Sequence, residues 1–321
     1  MKKDRHNYKM DKLKSIQFNL TNFCSQKCVM CRKYKWPDNS LKFDVLKNEI
    51  AKLDKNTSVI LSGGEPLLYT EINKVIEILN ENKIHWSILT NAMVFNTNLD
   101  KAEYINISFD AFSNKTYNKI RGVNSFTKIV NNIKKMKEQY DSEKILLDCT
   151  VSKLNVHEIP LLLNFAYEMD MYISFQCVHT FNNLIPSRND IAKLLKNISN
   201  KYINKLPKTN LFIFLEQYFN GNLKSNVCRA IRNHMIIDAD GSVFPCCRAL
   251  NDNGNYKERS EQNILGNIYE DTIYNIFLKS KNSIRLNELI QKKGIFCKMC
   301  DRYNMYNTFY ERFITNNILF M

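Results

Sequence analysis

The residues best equipped for chemistry are the cysteines, and their spacing sorts them into groups. There are ten in 321 residues: Cys24, Cys28 and Cys31 together, Cys149 and Cys177 singly, then Cys228, Cys246, Cys247, Cys297 and Cys300. Cys24-x3-Cys28-x2-Cys31 gathers three thiols into one short stretch. Three thiolates so placed can hold three irons of a 4Fe-4S cluster and leave the fourth iron open, whereas a structural zinc site wants four ligands, commonly in paired half-motifs. The later group, Cys228-x12-Gly241-x4-Cys246 followed by Cys297-x2-Cys300, supplies four thiols and closes a metal site completely. By spacing alone, zinc and an iron-sulfur cluster both fit there. A further signal is Gly63-Gly64-Glu65-Pro66: glycines let backbone come close to a ligand, and Glu65 offers a carboxylate to an ammonium.

These residues need a frame. Between the cysteine groups, short β-rich runs alternate with amphipathic helical patterns, the mark of βα units and a parallel sheet. Six strands are expected, at Ile16–Leu20, Ser58–Leu61, His85–Thr90, Tyr104–Phe109, Ile145–Val151 and Tyr172–Val178. Helices are expected over Phe43–Asp54, Glu71–Lys83, Phe126–Gln139 and Glu158–Met169. In the second of these, Ile72, Val75, Ile76 and Leu79 share one face and Thr70 is a suitable N-cap. The stretch Ala92–Glu103 has room for about one helical turn. Such a chain either closes into a partial barrel or opens into a doubly wound sheet, and periodicity does not choose between them. In both folds the site lies at the carboxyl ends of the strands, where Cys24–Cys31 and Gly63–Pro66 fall. After Val178 the alternation stops. A connector with a helix near Asp190–Leu206 and an apolar run, Leu211–Leu215, leads to a second unit from Cys228, in which Ala239-Asp240-Gly241 reads as a hairpin turn between Met235–Asp238 and Ser242–Phe244.

The cysteine triplet and the Gly63–Pro66 motif together resemble the radical S-adenosylmethionine (SAM) superfamily, whose two best sequence marks they are. The resemblance covers residues 16–178 and implies an α/β fold, a (β/α)6 partial TIM barrel. It implies that Cys24, Cys28 and Cys31 hold a 4Fe-4S cluster whose open iron is chelated by SAM. It also implies that Gly63, Gly64 and Glu65 meet the methionyl amine, and that Asn91, Ser108 and Asp110 occupy positions that often contact SAM. Two departures stand out: Met30 where an aromatic commonly precedes the third cysteine, and Ala92 where a glycine frequently follows Thr90-Asn91. The C-terminal pattern, with Gly241 and Leu265–Ile268, resembles the SPASM and shorter twitch extensions of the same superfamily, which carry auxiliary clusters. It implies one auxiliary 4Fe-4S cluster on Cys228, Cys246, Cys297 and Cys300, since no cysteine follows Cys300. The expected organisation is an N-terminal tail (1–15), the radical SAM barrel (16–178), a connector (179–227), a twitch-like auxiliary domain (228–302) and an aromatic C-terminal helix (303–321).

That resemblance implies an enzyme that cleaves SAM reductively and takes hydrogen from a substrate C–H bond. A dehydrogenase would pass the substrate's electron to the auxiliary cluster. An epimerase would return hydrogen from Cys247, the catalytic candidate, although Arg229 and Arg232 stand where peptide epimerases carry an acidic residue. A small polar molecule or a ribosomally made peptide would be the substrate, and a low-potential donor such as flavodoxin or ferredoxin the electron partner. Lys plus Arg (46) exceed Asp plus Glu (32), but the cations are spread evenly, so the excess reads as a solvated surface rather than a nucleic-acid arm. A non-catalytic metal protein acting on nucleic acid is the alternative of another class, and the intact Gly63–Pro66 motif argues against it. Arg32, Lys33 and Lys35 read as a solvated loop, and Cys149 and Cys177 as small buried hydrophobes. No apolar run approaches the ~20 residues of a membrane span, and no signal peptide precedes the first strand, so a cytoplasmic protein is expected.

Overall fold

The computed structural model describes residues 13–31, 37–96, 98–178, 182–201, 207–211, 215, 233–246, 251–252, 255–259 and 261–281. All six expected strands form: β1 (Ser15–Thr21), β2 (Ser58–Gly63), β3 (Trp86–Thr90), β4 (Ile105–Ser108), β5 (Ile145–Val151) and β6 (Tyr172–Cys177). They pair in parallel in the order 1-2-3-4-5-6. A doubly wound sheet reverses its strand order at a switch point; β1 to β6 run in unbroken sequence order, so the wall they form is that of a barrel.

Alternation divides the strands into two faces. Ile16, Phe18, Leu61, Ile88, Ile107, Leu147 and Phe175 lie on the outer face and are fully or almost fully buried. Their cover is α1 (Phe43–Ile50), α2 (Ile72–Glu81), α4 (Phe126–Gln139) and α5 (Ile159–Glu168), whose apolar stripes join the same core. Burying one such side chain contributes roughly 1.5–3 kcal/mol, so this face holds the barrel wall together. The opposite, lumen-side face carries Gln17, Asn19, Ser62, Asn106, Ser108, Asp148, Thr150, Ser174 and Gln176, interspersed with Ile60, Leu89 and Leu146. Register sets Asn19 beside Ser62, and Ser108, Asp148 and Ser174 in one row across β4, β5 and β6.

Two local expectations are corrected. Helix α1 stops at Ile50, because the Asp54 carboxylate accepts from the Asn56 N–H at 2.8 Å and its carbonyl from the Thr57 N–H at 2.8 Å, fixing a turn. Helix α2 is capped at Glu71 rather than Thr70, and without a side-chain bond. No helix forms among the described residues of 92–103. One helix was not foreseen: α3 (Asn114–Arg121), N-capped by Ser113, whose hydroxyl accepts from the Thr116 N–H at 3.2 Å, and closed by Gly122 in the left-handed conformation (φ 71°). Packing of Phe109, Phe112, Tyr117, Phe126 and Phe165, with ring centroids 4.8–6.4 Å apart, seats it against the barrel.

The connector helix is α6 (Arg188–Lys201). The expected hairpin forms from β7 (His234–Ile237) and β8 (Ser242–Phe244), turning at Gly241 with φ 86°. It is not detached from the barrel. β7 pairs in parallel with β1, Ser15 opposite His234, so the sheet continues through β7 and β8 to β11 (Gly266–Asn267). A separate two-stranded sheet joins β9 (Asn251–Asp252) to β10 (Asn255–Arg259), and α7 (Ile273–Lys281) follows. The N–H of Ile273 is held at 2.7 Å by Glu49 of α1. No helix among the described residues is long and apolar enough to cross a membrane.

Candidate active site

The loop carrying Cys24, Cys28 and Cys31 leaves β1 at the carboxyl end of the sheet and is fastened from two sides. On one side the Gly64 N–H donates to Thr21 O (2.7 Å) and the Glu65 N–H to Phe23 O (2.8 Å). The approach is so close that a Cβ on Gly64 would lie 2.3 Å from Phe23 O, and one on Gly63 (φ 134°) 2.4 Å from Thr21 O. The two glycines therefore use their clearance to admit the cysteine loop, where the sequence reading assigned it to a ligand. On the other side the last carbonyls of α3 are capped by the loop: Lys27 N–H donates to Arg121 O (3.0 Å) and Val29 N–H to Ile120 O (2.8 Å).

Glu65 is fully buried and its carboxylate is already engaged. It accepts from Thr90 Oγ1 (2.7 Å), the Asn91 N–H (2.7 Å) and the Leu67 N–H (3.2 Å). Burial pushes its pKa up to about 6, and these three bonds oppose the rise. Glu65 thus ties the end of β2 to the end of β3. Asn91 extends the tie, its side-chain amide standing 3.5 Å from Cys24 Sγ. Ala92, where the superfamily often has glycine, takes φ 55°, the left-handed conformation that glycine adopts at least cost.

All three thiols of the triplet are half-buried. Desolvation pushes Cys24 up to about 11 and raises Cys28 as well, with Arg121 opposing the second shift. Such thiols stay neutral until a cationic group replaces their protons, which is how metal binding releases them. Beside Cys28, Gln26 Nε2 and Arg121 Nε are buried donors with no acceptor. An acceptor-rich group, thiolate plus inorganic sulfide, answers that deficit, so the donor set fits a 4Fe-4S cluster. Among the described residues no three His, Cys, Asp or Glu side chains converge on one ion, which ligands spread over three separate irons need not do.

Of the other expected residues, Ser108 stands apart on the lumen wall, half-buried beside Asp148. Asp110 is fully buried, forms an ion pair with Arg121 (2.7 Å) and accepts from the Thr150 N–H (2.8 Å). Desolvation raises its pKa and Arg121 opposes the rise. Cys149 is buried, with Asp110 O at 3.7 Å from its sulfur. Cys246 is half-buried, two residues beyond β8. Cys228, Cys247, Cys297, Cys300, the Arg32–Lys35 loop and the aromatic 303–321 segment lie outside the described residues. Arg121 was missed although its helix was signalled by Ser113 and Gly122, which bracket it as N-cap and C-cap.

Residues 18–166 match the radical SAM superfamily and residues 228–301 match SPASM, an iron-sulfur cluster-binding domain. The chain belongs to the radical SAM superfamily, which binds SAM and a 4Fe-4S cluster, and has a SPASM-type C-terminal domain, which binds auxiliary iron-sulfur clusters. A probable GTP 3′,8-cyclase of Methanocaldococcus jannaschii is 21% identical over 199 residues, covering 58% of this chain and 64% of the relative. Streptococcus suis SuiB bound to S-adenosylmethionine superposes with a TM-score of 0.65 at 18% identity, over 92% of this chain and 75% of SuiB. Native anSMEcpe with bound AdoMet and the Kp18Cys peptide gives 0.64 at 18% identity, over 95% and 99%. At such identities the two structural likenesses are likenesses of fold.

Proposed function

We propose that this chain is an enzyme that takes a hydrogen atom from a C–H bond of a polar substrate in the barrel lumen and leaves that substrate oxidised. The observation that carries the reading is the three-thiol loop at the carboxyl ends of β1 and β2, fastened by Gly64, Glu65 and α3 beside a lumen lined with amides, hydroxyls and the Asp148 carboxylate. Cys24, Cys28 and Cys31 would hold the 4Fe-4S cluster, which with SAM would supply one-electron chemistry able to abstract hydrogen. The chain's own share is to hold Cys24, Cys28 and Cys31 on a rigid loop, to present hydrogen-bonding groups to one substrate orientation, and to keep water from the reacting carbon. Gly63 and Gly64 bring the loop against β2; Glu65 acts on SAM through the backbone it positions; Asn91 stands at Cys24. Ser108 belongs to the substrate wall. Asp110 acts through Arg121.

Four thiols, Cys228, Cys246, Cys297 and Cys300, suffice for one auxiliary cluster to receive the substrate's electron. The lumen's acceptor-rich row suits a substrate that offers hydrogen-bond donors, either a peptide or an amino- and hydroxyl-bearing small molecule. A flavodoxin or ferredoxin supplies the first electron.

The test is anaerobic turnover with SAM, reductant and substrates deuterated at the attacked carbon. Deuterium in 5′-deoxyadenosine with product two mass units lighter than unlabelled substrate supports oxidation. In H2O, a product one mass unit lighter than the deuterated substrate, its deuterium replaced by solvent hydrogen only when Cys247 is intact, supports the epimerase reading instead. Consumption of GTP with no loss of hydrogen from product would place the chain with its cyclase relatives.

A further inference from the structure

Arg121, the last residue of α3, is only 7% exposed. One terminal nitrogen lies 2.7 Å from Asp110 Oδ2. The other lies 3.5 Å from Gln26 Oε1 and 3.7 Å from Cys28 Sγ. The guanidinium carbon stands 5.8 Å from the centre of the Tyr117 ring. Its Nε is a buried donor with no acceptor.

Removing a guanidinium from water costs several kcal/mol, and a carboxylate in contact offsets that cost only with good geometry. A purely structural pair with Asp110 would use both terminal nitrogens on the carboxylate, the bidentate arrangement that arginine favours. Here only one nitrogen serves Asp110, and the other is turned toward sulfur. Electron-rich sulfur in a dry environment is where a fixed cation acts most strongly. Hydrogen bonds to the sulfurs and nearby net charge are among the levers that set a cluster's potential. A cation favours the reduced state, which carries one more negative charge. Asp110 partly cancels the cation and its charge also acts on Cys28, but the contact to sulfur is made by the guanidinium.

We infer that Arg121, oriented by Asp110, is a positioning residue that places positive charge on Cys28 and makes the first cluster easier to reduce. This rests on the proposed ligation by Cys24, Cys28 and Cys31. Asp110 thereby acquires a role different from the SAM contact that the sequence implied: it sets how much of the Arg121 charge the cluster feels.

The test reconstitutes wild type, Arg121→Gln and Asp110→Asn anaerobically, counts iron and sulfide, and measures each cluster's potential by EPR-monitored redox titration. The C-terminal cluster serves as internal reference. Arg121→Gln is expected to make the first cluster about tenfold harder to reduce, a fall of about 59 mV for one electron. Asp110→Asn is expected to move it the opposite way, because the cation loses its counter-charge. A general loosening of the loop would not give opposite signs. Shifts of the same sign, or no shift in fully loaded variants, overturn the inference. If Arg121→Gln does not load, the sign in Asp110→Asn decides: upward supports the inference, and no change or a fall overturns it. If neither variant loads, the inference fails, because the pair then serves assembly. A wild type with no cluster on the triplet defeats instead the proposed function beneath it.

Discussion

Replacing Gly64 by alanine tests how the cysteine loop is held. The new Cβ would stand 2.3 Å from Phe23 O and 2.5 Å from Asn22 O, whereas ordinary contact begins near 3.4 Å. Both obstacles are backbone atoms, so no side-chain rotation relieves the clash, and the loop must retreat by about 1 Å. That retreat breaks or weakens the bonds from Gly64 N–H to Thr21 O and from Glu65 N–H to Phe23 O, now 2.7 and 2.8 Å. Two such bonds are worth ~1 kcal/mol each, and overpacking adds ~1–3 kcal/mol. A total of roughly 3–5 kcal/mol is a large part of a domain's stability, yet local to one loop. The assay pairs thermal melting, followed by circular dichroism, with iron and sulfide counts after anaerobic reconstitution. The variant should keep its α/β spectrum, melt lower by roughly 6 °C or more, and lose the iron of the first site while the C-terminal site loads. Wild-type iron at the triplet together with an unchanged Tm would refute the reasoning, because the loop would then have moved at no cost.

Further outcomes follow from the same geometry. Glu65 is fully buried and its pKa is about 6, above the ordinary 4.5. Its contribution is therefore fully present below about pH 4.5 and lost as pH rises through 6, at about 2 kcal/mol for the shift. In urea titrations of cluster-free protein, Glu65→Gln should show a smaller fall in stability from pH 4.5 to 6.5 than wild type; parallel curves would remove the assignment. Gly241→Ala should cost about 1–3 kcal/mol, since Gly241 sits at φ 86° and the added Cβ would come within 2.7 Å of Asn267 Oδ1 and 2.9 Å of the Tyr269 ring. A chemical-denaturation midpoint equal to wild type would contradict it. Glu49→Ala should cost about 1–3 kcal/mol by leaving the buried Ile273 N–H unpaired and freeing α7 from α1. Faster hydrogen exchange confined to 273–281 is the expected signature, and unchanged protection there would count against it.

The sequence carried the strands in its periodicities: every strand from Ser15 to Cys177 was legible, because each is a short β-rich run with apolar residues at alternate positions. What periodicity could not decide, barrel or doubly wound sheet, was decided by strand order, a property of the whole chain. Helix α3 escaped because Asn114, Lys115, Asn118 and Lys119 dilute its apolar face to Tyr117 and Ile120. Only Ser113 and Gly122 announced it. The cysteine triplet and the Gly63–Pro66 motif marked the site without telling what each atom does. Glu65 was legible as a carboxylate near the ligand, but its engagement by Thr90, Asn91 and Leu67 depends on contacts between β2 and β3 that no local pattern records. Asp110 was likewise legible as polar at a strand end, while its partner Arg121 belonged to the overlooked helix.

The most direct measurement of the central claim is anaerobic reconstitution of wild type and of the triple variant Cys24→Ala, Cys28→Ala, Cys31→Ala, with iron counted and 5′-deoxyadenosine followed after dithionite reduction. The account predicts about eight irons per chain in wild type and about four in the variant, with 5′-deoxyadenosine formed by wild type alone. Equal iron in the two proteins, or zinc at the C-terminal cysteines with no binding of SAM by wild type, would contradict it.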